Sequence, residues 1–220
     1  DVIMGRGGVV DKYIGDAIMA FFGAPLHHED DALQSVLAGL EMGEALERYN
    51  AEQRAAGGPE FHIGIGINYG VVTVGNIGCE KKMNYTVIGD MVNLASRLEG
   101  LTKLYHEPIL ISESVEMKLR GVLPTRLIDT VAVKGKQQGV RIYTARKRID
   151  ERVAEIWAIH EKAMEAYYGR DFASARAGFQ RVLSLAKDDR AASLLLERAE
   201  GYLKSPPPAD WDGVEVLTEK

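Results

Sequence analysis

Three short stretches combine residue types and spacings that suit phosphoryl chemistry. In Asp11-Lys12-Tyr13-Ile14-Gly15-Asp16 an apolar run meets a Gly-Asp pair. That places the Asp16 carboxylate at a tight turn, where a hard cation can reach it and phosphate oxygens can complete the coordination. Gly-Asp is also ordinary turn chemistry. Between Asn84 and Arg97, Asn93 and Arg97 are four apart, which puts them on one face of a helix. An amide beside a guanidinium can orient a ribose and neutralise charge developing on a phosphoryl group; the alternative is a helix whose Arg97 pairs with Glu99 or faces solvent. In Val133-Lys134-Gly135-Lys136 two lysines flank a glycine, able to aim ammonium groups at a polyphosphate or simply to solvate a turn. His27, His28 and Glu29 are metal-ligand types, but they stand where a helix-entry loop is expected and read best as part of it.

These side chains need a scaffold. A second apolar run at 17–22 follows Gly15-Asp16, so 9–22 reads as a hairpin. Residues 30–54 carry Leu33, Val36, Leu37, Leu40, Leu46 and Tyr49 at mostly helical spacing, open with acids and close at Gly57-Gly58-Pro59. Residues 61–67 and 71–77 are β-rich and separated by Asn68-Tyr69-Gly70, which predicts a second hairpin. A short strand at 85–88 leads to a helix over 91–104 with Val92, Leu94, Ala95 and Leu98 inward. A strand at 108–111, a helix at 112–119 and β-rich residues 125–144 complete an α+β sandwich with a largely antiparallel sheet. From Asp150 the composition turns to alanine, leucine and glutamate. Helices are expected at 153–168, at 172–186 behind an Asp171 cap, and at 190–203. The Pro206-Pro207-Pro208 run stops the last one, and Trp157, Trp211 and residues 214–217 read as packing anchors.

Composition narrows the partners. The 220 residues carry a net charge of -5, so nothing electrostatic favours nucleic acid or an anionic membrane as a partner of the whole chain. The single cysteine, Cys79, excludes an intrachain disulfide and suits a reducing compartment. No apolar run approaches bilayer length, so a cytoplasmic location without membrane contact from these residues is expected.

In this order and at these separations, the motifs resemble the class III adenylate and guanylate cyclases. The resemblance spans roughly 7–144 and includes Ala20-Phe21-Phe22-Gly23-Ala24-Pro25, the Gly64–Gly78 hairpin and Ala95-Ser96-Arg97-Leu98-Glu99. It implies a ferredoxin-like, palm-type cyclase sandwich at 1–147, lacking its first strand; the change in composition sets apart a small helical unit at 150–205 and a Pro-rich segment at 206–220. The resemblance further implies conversion of ATP to 3′,5′-cyclic AMP and pyrophosphate, assisted by two Mg2+ or Mn2+ ions per site, at the interface of a head-to-tail homodimer. By motif match Asp16 is a metal ligand, Asn93 orients the ribose, Arg97 is the transition-state cation and Lys134 contacts the triphosphate, with Lys136 a less favoured substitute. Lys12 and Thr86 take the base-reading positions. Adenine offers an acceptor at N1 and a donor amino group, and guanine reverses that pattern. Lys12 only donates and a Thr86 hydroxyl can accept, so ATP is expected over GTP, whereas guanylate cyclases of this class typically carry Glu and Cys there.

One departure stands out. The family's first metal aspartate belongs to an opening strand upstream of Val9, in a pattern such as Phe-x-Asp-Ile-x-x-Phe-Thr, and nothing in this sequence supplies it. By that resemblance the 220 residues alone are expected to be inactive or poorly folded, with upstream segments that include a membrane anchor in some similar proteins. The rival reading is a non-catalytic, nucleotide-binding and dimerising pseudo-cyclase. A diguanylate cyclase is disfavoured because no Gly-Gly-Asp/Glu-Glu-Phe loop occurs. Residues 157–202, with Ala163, Tyr167, Tyr168, Phe172, Ala175, Phe179 and Leu183, resemble a single tetratricopeptide unit. One such repeat is rarely stable alone, so it is expected to dock on the cyclase part or on a protein partner.

Overall fold

The computed structural model describes residues 1–119, 121–132 and 139–216. A short helix α1 (Val2–Gly5) precedes the hairpin β1 (Val9–Ile14) and β2 (Ala17–Phe21). Gly15 takes a positive φ of 63° at the turn, a conformation glycine adopts without steric cost. The long helix α2 (Asp31–Ala56) ends at Gly57 in the left-handed conformation. Its Val36 side, with Leu33, Leu37 and Leu40, packs on β3 (Ile65–Ile67), β6 (Ile109–Ser112) and α4 (Glu113–Leu119).

The expected second hairpin forms in a different place. β3 does not fold back on the next strand but pairs parallel to β6, Ile65 opposite Ile109. The hairpin is made instead by β4 (Thr73–Cys79) and β5 (Lys82–Ile88), antiparallel from Thr73–Ile88 to Cys79–Lys82. Asn68 explains why the first arrangement loses. Its amide donates to Met91 O at 3.0 Å and its oxygen accepts from Ser112 Oγ at 2.6 Å, so the Asn68-Tyr69-Gly70 link is pinned to the sheet and to α3 (Asp90–Tyr105) rather than closing a turn.

The main sheet runs β3-β6-β8-β7-β9, with β7 at Thr125–Ala132, β8 at Gly139–Ala145 and β9 at Glu215–Val216. Four of the six strand pairings in the described residues are antiparallel. Helix α3 lies directly on β3. A Cβ at Gly66 would stand 2.2 Å from Ala95 O and 2.3 Å from Glu99 N, so only glycine admits the helix this close. Leu94 and Leu98 point into the core, while Val92 and Ala95 are half-buried.

The tail is three helices, α5 (Glu151–Tyr168), α6 (Phe172–Leu185) and α7 (Arg190–Lys204). Asp150, Asp171 and Asp189 cap them by accepting from the backbone N–H of Val153, Ser174 and Ala192. Their own core centres on Tyr167, Phe179 and Leu195, with Trp157 and Trp211 packed against it. Trp211 stacks edge-on to Tyr167 and Phe172 at 5.4 and 5.7 Å.

This unit docks on the sheet. Arg126 of β7 makes a two-pronged pair with Asp189 at 2.6 and 2.9 Å and donates to His160 Nδ1 at 2.9 Å. Arg198 of α7 donates to Asp129 at 2.6 Å, as does the Tyr105 hydroxyl. β9 adds a parallel strand beside β7. Ala191 and Leu194 of α7 join the apolar cluster that holds Leu94 and Leu98 of α3, so the helix bearing Asn93 and Arg97 is packed between the sheet and the tail.

Candidate active site

The two hairpins meet. Phe21 of β2 packs against Tyr85 of β5 with ring centroids 6.2 Å apart, and Lys12 Nζ of β1 donates to Thr86 Oγ1 of β5 across 2.9 Å. Residues 74 positions apart in sequence thus come together through packing of hairpin on hairpin. Lys12 keeps 41% of its side chain exposed, while Thr86 is buried. Asp16 occupies the exposed tip of the β1–β2 hairpin. β5 turns at Gly89 into α3, whose first turns carry Asn93 and Arg97, both exposed. A shallow depression lined by Val87, Ile88, Gly89, Asp90, Val92 and Asn93 lies at that junction.

Among the described residues no hydrogen bond or ion pair engages the side chains of Asp16, Asn93 or Arg97, and Arg97 does not pair with Glu99. Three polar groups capable of charge or hydrogen-bond chemistry therefore face outward with no internal partner. Lys134 and Lys136 lie outside the described residues. Among the described residues His27 joins no metal-ligand cluster: its Nδ1 lies 2.7 Å from the Asp31 carboxylate, which also takes the His28 N–H at 2.8 Å. Among the described residues no group of three or more His, Cys, Asp or Glu could hold a metal ion by itself, and no helix is long and apolar enough to cross a membrane.

A family model for the adenylate and guanylate cyclase catalytic domain matches residues 9–146, well over half of the chain. The chain belongs to that family. An adenylate cyclase of Anabaena cylindrica is 46% identical over 144 residues, covering 62% of this chain and 28% of that protein. The terminal-differentiation-specific adenylate cyclase of Dictyostelium discoideum is 33% identical over 211 residues, 92% of this chain and 10% of that protein, so this similarity reaches beyond the cyclase segment into the tail. The chain spans between about a tenth and about a quarter of the length of such curated relatives. Among solved structures, the adenylyl cyclase CyaB from P. aeruginosa matches with a TM-score of 0.62 at 36% identity, over 68% of this chain and 77% of that one. The guanylyl cyclase Cya2 matches with a TM-score of 0.59 at 37% identity, over 68% and 75%. The palm-type cyclase α+β fold is thereby shown, while two relatives of opposite base preference are equally similar overall.

Beside the Lys12–Thr86 contact stands a third side chain that the sequence does not point to. Asp11 accepts from the Thr86 hydroxyl at 2.5 Å and lies 3.6 Å from Lys12 Nζ, with only 2% of its side chain exposed. Strand alternation alone sends Asp11 and Lys12 to opposite faces. The register of β1 against β2 slips between Val10 and Lys12, a bulge that turns both neighbours toward Thr86. No feature of the sequence marks that bulge.

Proposed function

We propose that this cyclase domain makes 3′,5′-cyclic AMP and pyrophosphate from ATP, at sites completed by a second copy arranged head to tail. The observation that carries the reading is the Lys12–Thr86 contact at 2.9 Å: a donor and a hydroxyl acceptor side by side match the N1 acceptor and amino donor of adenine and mismatch guanine. Asn93 orients the ribose so that its 3′-hydroxyl faces the α-phosphorus. Arg97, exposed and untied among the described residues, neutralises charge as the new P–O bond forms and the bond to pyrophosphate breaks. Lys134 steadies the triphosphate.

Asp16 fits a share of a Mg2+ or Mn2+ site. Such ions commonly take one or two protein carboxylates and complete their shell with phosphate and water, and an outward carboxylate at a hairpin tip suits that role. Bound there, divalent ions supply activation of the attacking hydroxyl and stabilisation of the leaving pyrophosphate, with two ions per site. Pairing of copies is supported by apolar side chains left exposed around the hairpins, Tyr13 at 73%, Ile14 at 58% and Met83 at 57%. We read the tail as a tetratricopeptide-like unit, on the close approach of Gly178 to Ala163 between α5 and α6.

The test is cyclic nucleotide production from ATP and from GTP with Mn2+, using the full-length protein beside Asp16→Ala. Cyclic AMP formed by the parent and lost in the variant is the expected result. ATP bound without turnover by a folded dimer selects the pseudo-cyclase instead. Faster cyclic GMP formation overturns the base assignment.

A further inference from the structure

We propose that Asp11 is a specificity-positioning residue: by holding the proton of the Thr86 hydroxyl it makes Thr86 an obligate acceptor toward the purine base. The inference rests on the base reading above and extends it to a residue that does not touch the base.

A threonine hydroxyl carries one proton and two lone pairs, and its proton rotates to whichever acceptor suits it. A free hydroxyl is therefore a poor discriminator. It accepts from the adenine amino group or donates to the guanine O6 with equal ease, so Thr86 alone cannot reject GTP. Here the rotor is not free. Asp11 Oδ2 lies 2.5 Å from Thr86 Oγ1, at the short end for a hydroxyl donating to a carboxylate. An ionised carboxylate only accepts, so the proton of that bond is the threonine's. Lys12 donates into one lone pair at 2.9 Å, leaving the other lone pair as the hydroxyl's sole remaining capacity.

Two features show that the arrangement is built into the strand. The bulge in β1 brings Asp11 and Lys12 onto the same oxygen, which a regular strand cannot do. Burial of the Asp11 side chain to 2% exposure shields it from water, which would otherwise compete for the threonine proton. Lys12, 3.6 Å from the same carboxylate, offsets its charge. A donor-only lysine and a proton-committed threonine together present guanine with a donor facing its N1–H and an acceptor facing its O6. Both contacts with guanine are mismatched, and a site left with unpaired polar groups rejects a ligand far better than one that merely lacks a contact.

The experiment compares the ratio of kcat/KM for ATP to kcat/KM for GTP in the full-length protein, alongside equilibrium binding of the two nucleotides. Asp11→Ala is expected to lower both ratios about tenfold, mainly by improving GTP, because the freed hydroxyl can now donate to O6. Thr86→Val is expected to lower them at least as far. Adding Asp11→Ala to Thr86→Val should change them no further, since the carboxylate then has no proton to hold. Should Asp11→Ala fail to fold, Asp11→Val removes the same carboxylate with a residue suited to a strand and is expected to give the same shift. An unchanged ratio in a folded Asp11 variant, with Thr86→Val lowering it, sinks the proposal and leaves the base reading intact. If Thr86→Val itself leaves the ratio unchanged, the base reading fails, and the role of Asp11 with it. An Asp11 effect that persists in full on the Thr86→Val background also overturns the proposal, because it would not act through the hydroxyl.

Discussion

Arg97 and Arg198 sit on helices, α3 and α7, that pack against one apolar cluster, yet the two are held in opposite ways. Arg198 is 15% exposed, donates to a fully buried Asp129 and lies 3.6 Å from Glu215. Asp129 in turn accepts from the Tyr105 hydroxyl and from its neighbour Thr130 N–H. Burial, reinforced by the Asp129 charge, holds the Tyr105 phenol well above its usual range, so it remains a donor. Arg97 stands in solvent, with no internal partner among the described residues. One core thus supports two kinds of polar face. At the tail joint Arg126 is paired with Asp189 and Arg198 with Asp129, which suits a permanent joint. On the hairpin side charge and hydrogen-bond capacity are left over, which suits a ligand. The tail packs, through Ala191 and Leu194, on the same cluster as the helix that bears Asn93 and Arg97.

The sharpest way to break this contrast is to remove one charge from each face. Asp129→Ala leaves the Arg198 guanidinium buried without its main partner and the Tyr105 hydroxyl without an acceptor. The expected cost is about 3–5 kcal/mol, visible as a fall on the order of 10 °C in the melting of the full-length protein's cyclase transition. Arg97→Ala should leave that transition where it is, because an exposed, unpaired side chain contributes little to folding. Its expected effect is a loss of about 10²–10³-fold in kcat, or roughly 3–4 kcal/mol of barrier. Melting unchanged in Asp129→Ala, or substantial unfolding in Arg97→Ala, would erase the distinction between the two faces.

Much of this arrangement is legible in the sequence, and what is not has a physical reason. The 9–21 hairpin, α2, α3 and the three tail helices follow from periodicity, from Gly57 and, for α6, from the Asp171 cap; the Asp150 and Asp189 caps emerge from the structure. The β3–β4 hairpin does not survive, because parallel pairing of β3 with β6 is a contact between distant segments that local alternation cannot reveal. Asn68-Tyr69-Gly70 has the composition of a turn and serves instead as an anchored link. For the proposed site, spacing on one helix points to Asn93 and Arg97, and a glycine turn points to Asp16. The Lys12–Thr86 approach is legible only through family resemblance, and Asp11 not even so, since its role depends on a one-residue register slip. The buried Arg126–His160–Asp189 group was equally hidden: its members come from β7, α5 and the cap of α7.

That last group gives the smaller test of the comparison, since a joint made of buried charges should answer to pH in a way the exposed face does not. His160 accepts from Arg126 at Nδ1 and donates from Nε2 to Leu127 O at 3.0 Å, so it is seated as the neutral ring. Burial, followed by the Arg126 charge, pushes its pKa from 6.5 down to about 3. Between those values the unfolded chain binds a proton that the folded chain does not, so stability falls as the pH falls, by about 1.4 kcal/mol per unit. Burial raises the Asp189 carboxyl, but the Arg126 hydrogen bond and charge more than offset this and leave it below 3.8. Its contribution is intact above that value and is lost only as the pH drops through the lowered pKa, beneath most of the histidine window. Lowering the pH from 6.5 to 4.5 should therefore cost the parent about 2–3 kcal/mol through His160 alone. His160→Gln can keep both hydrogen bonds through its amide without titrating, so the difference in melting temperature between parent and variant should shrink or reverse over that range. A difference that stays constant with pH would mean that His160 is not held neutral, and that the tail joint is more open to water than the exposed face beside it requires.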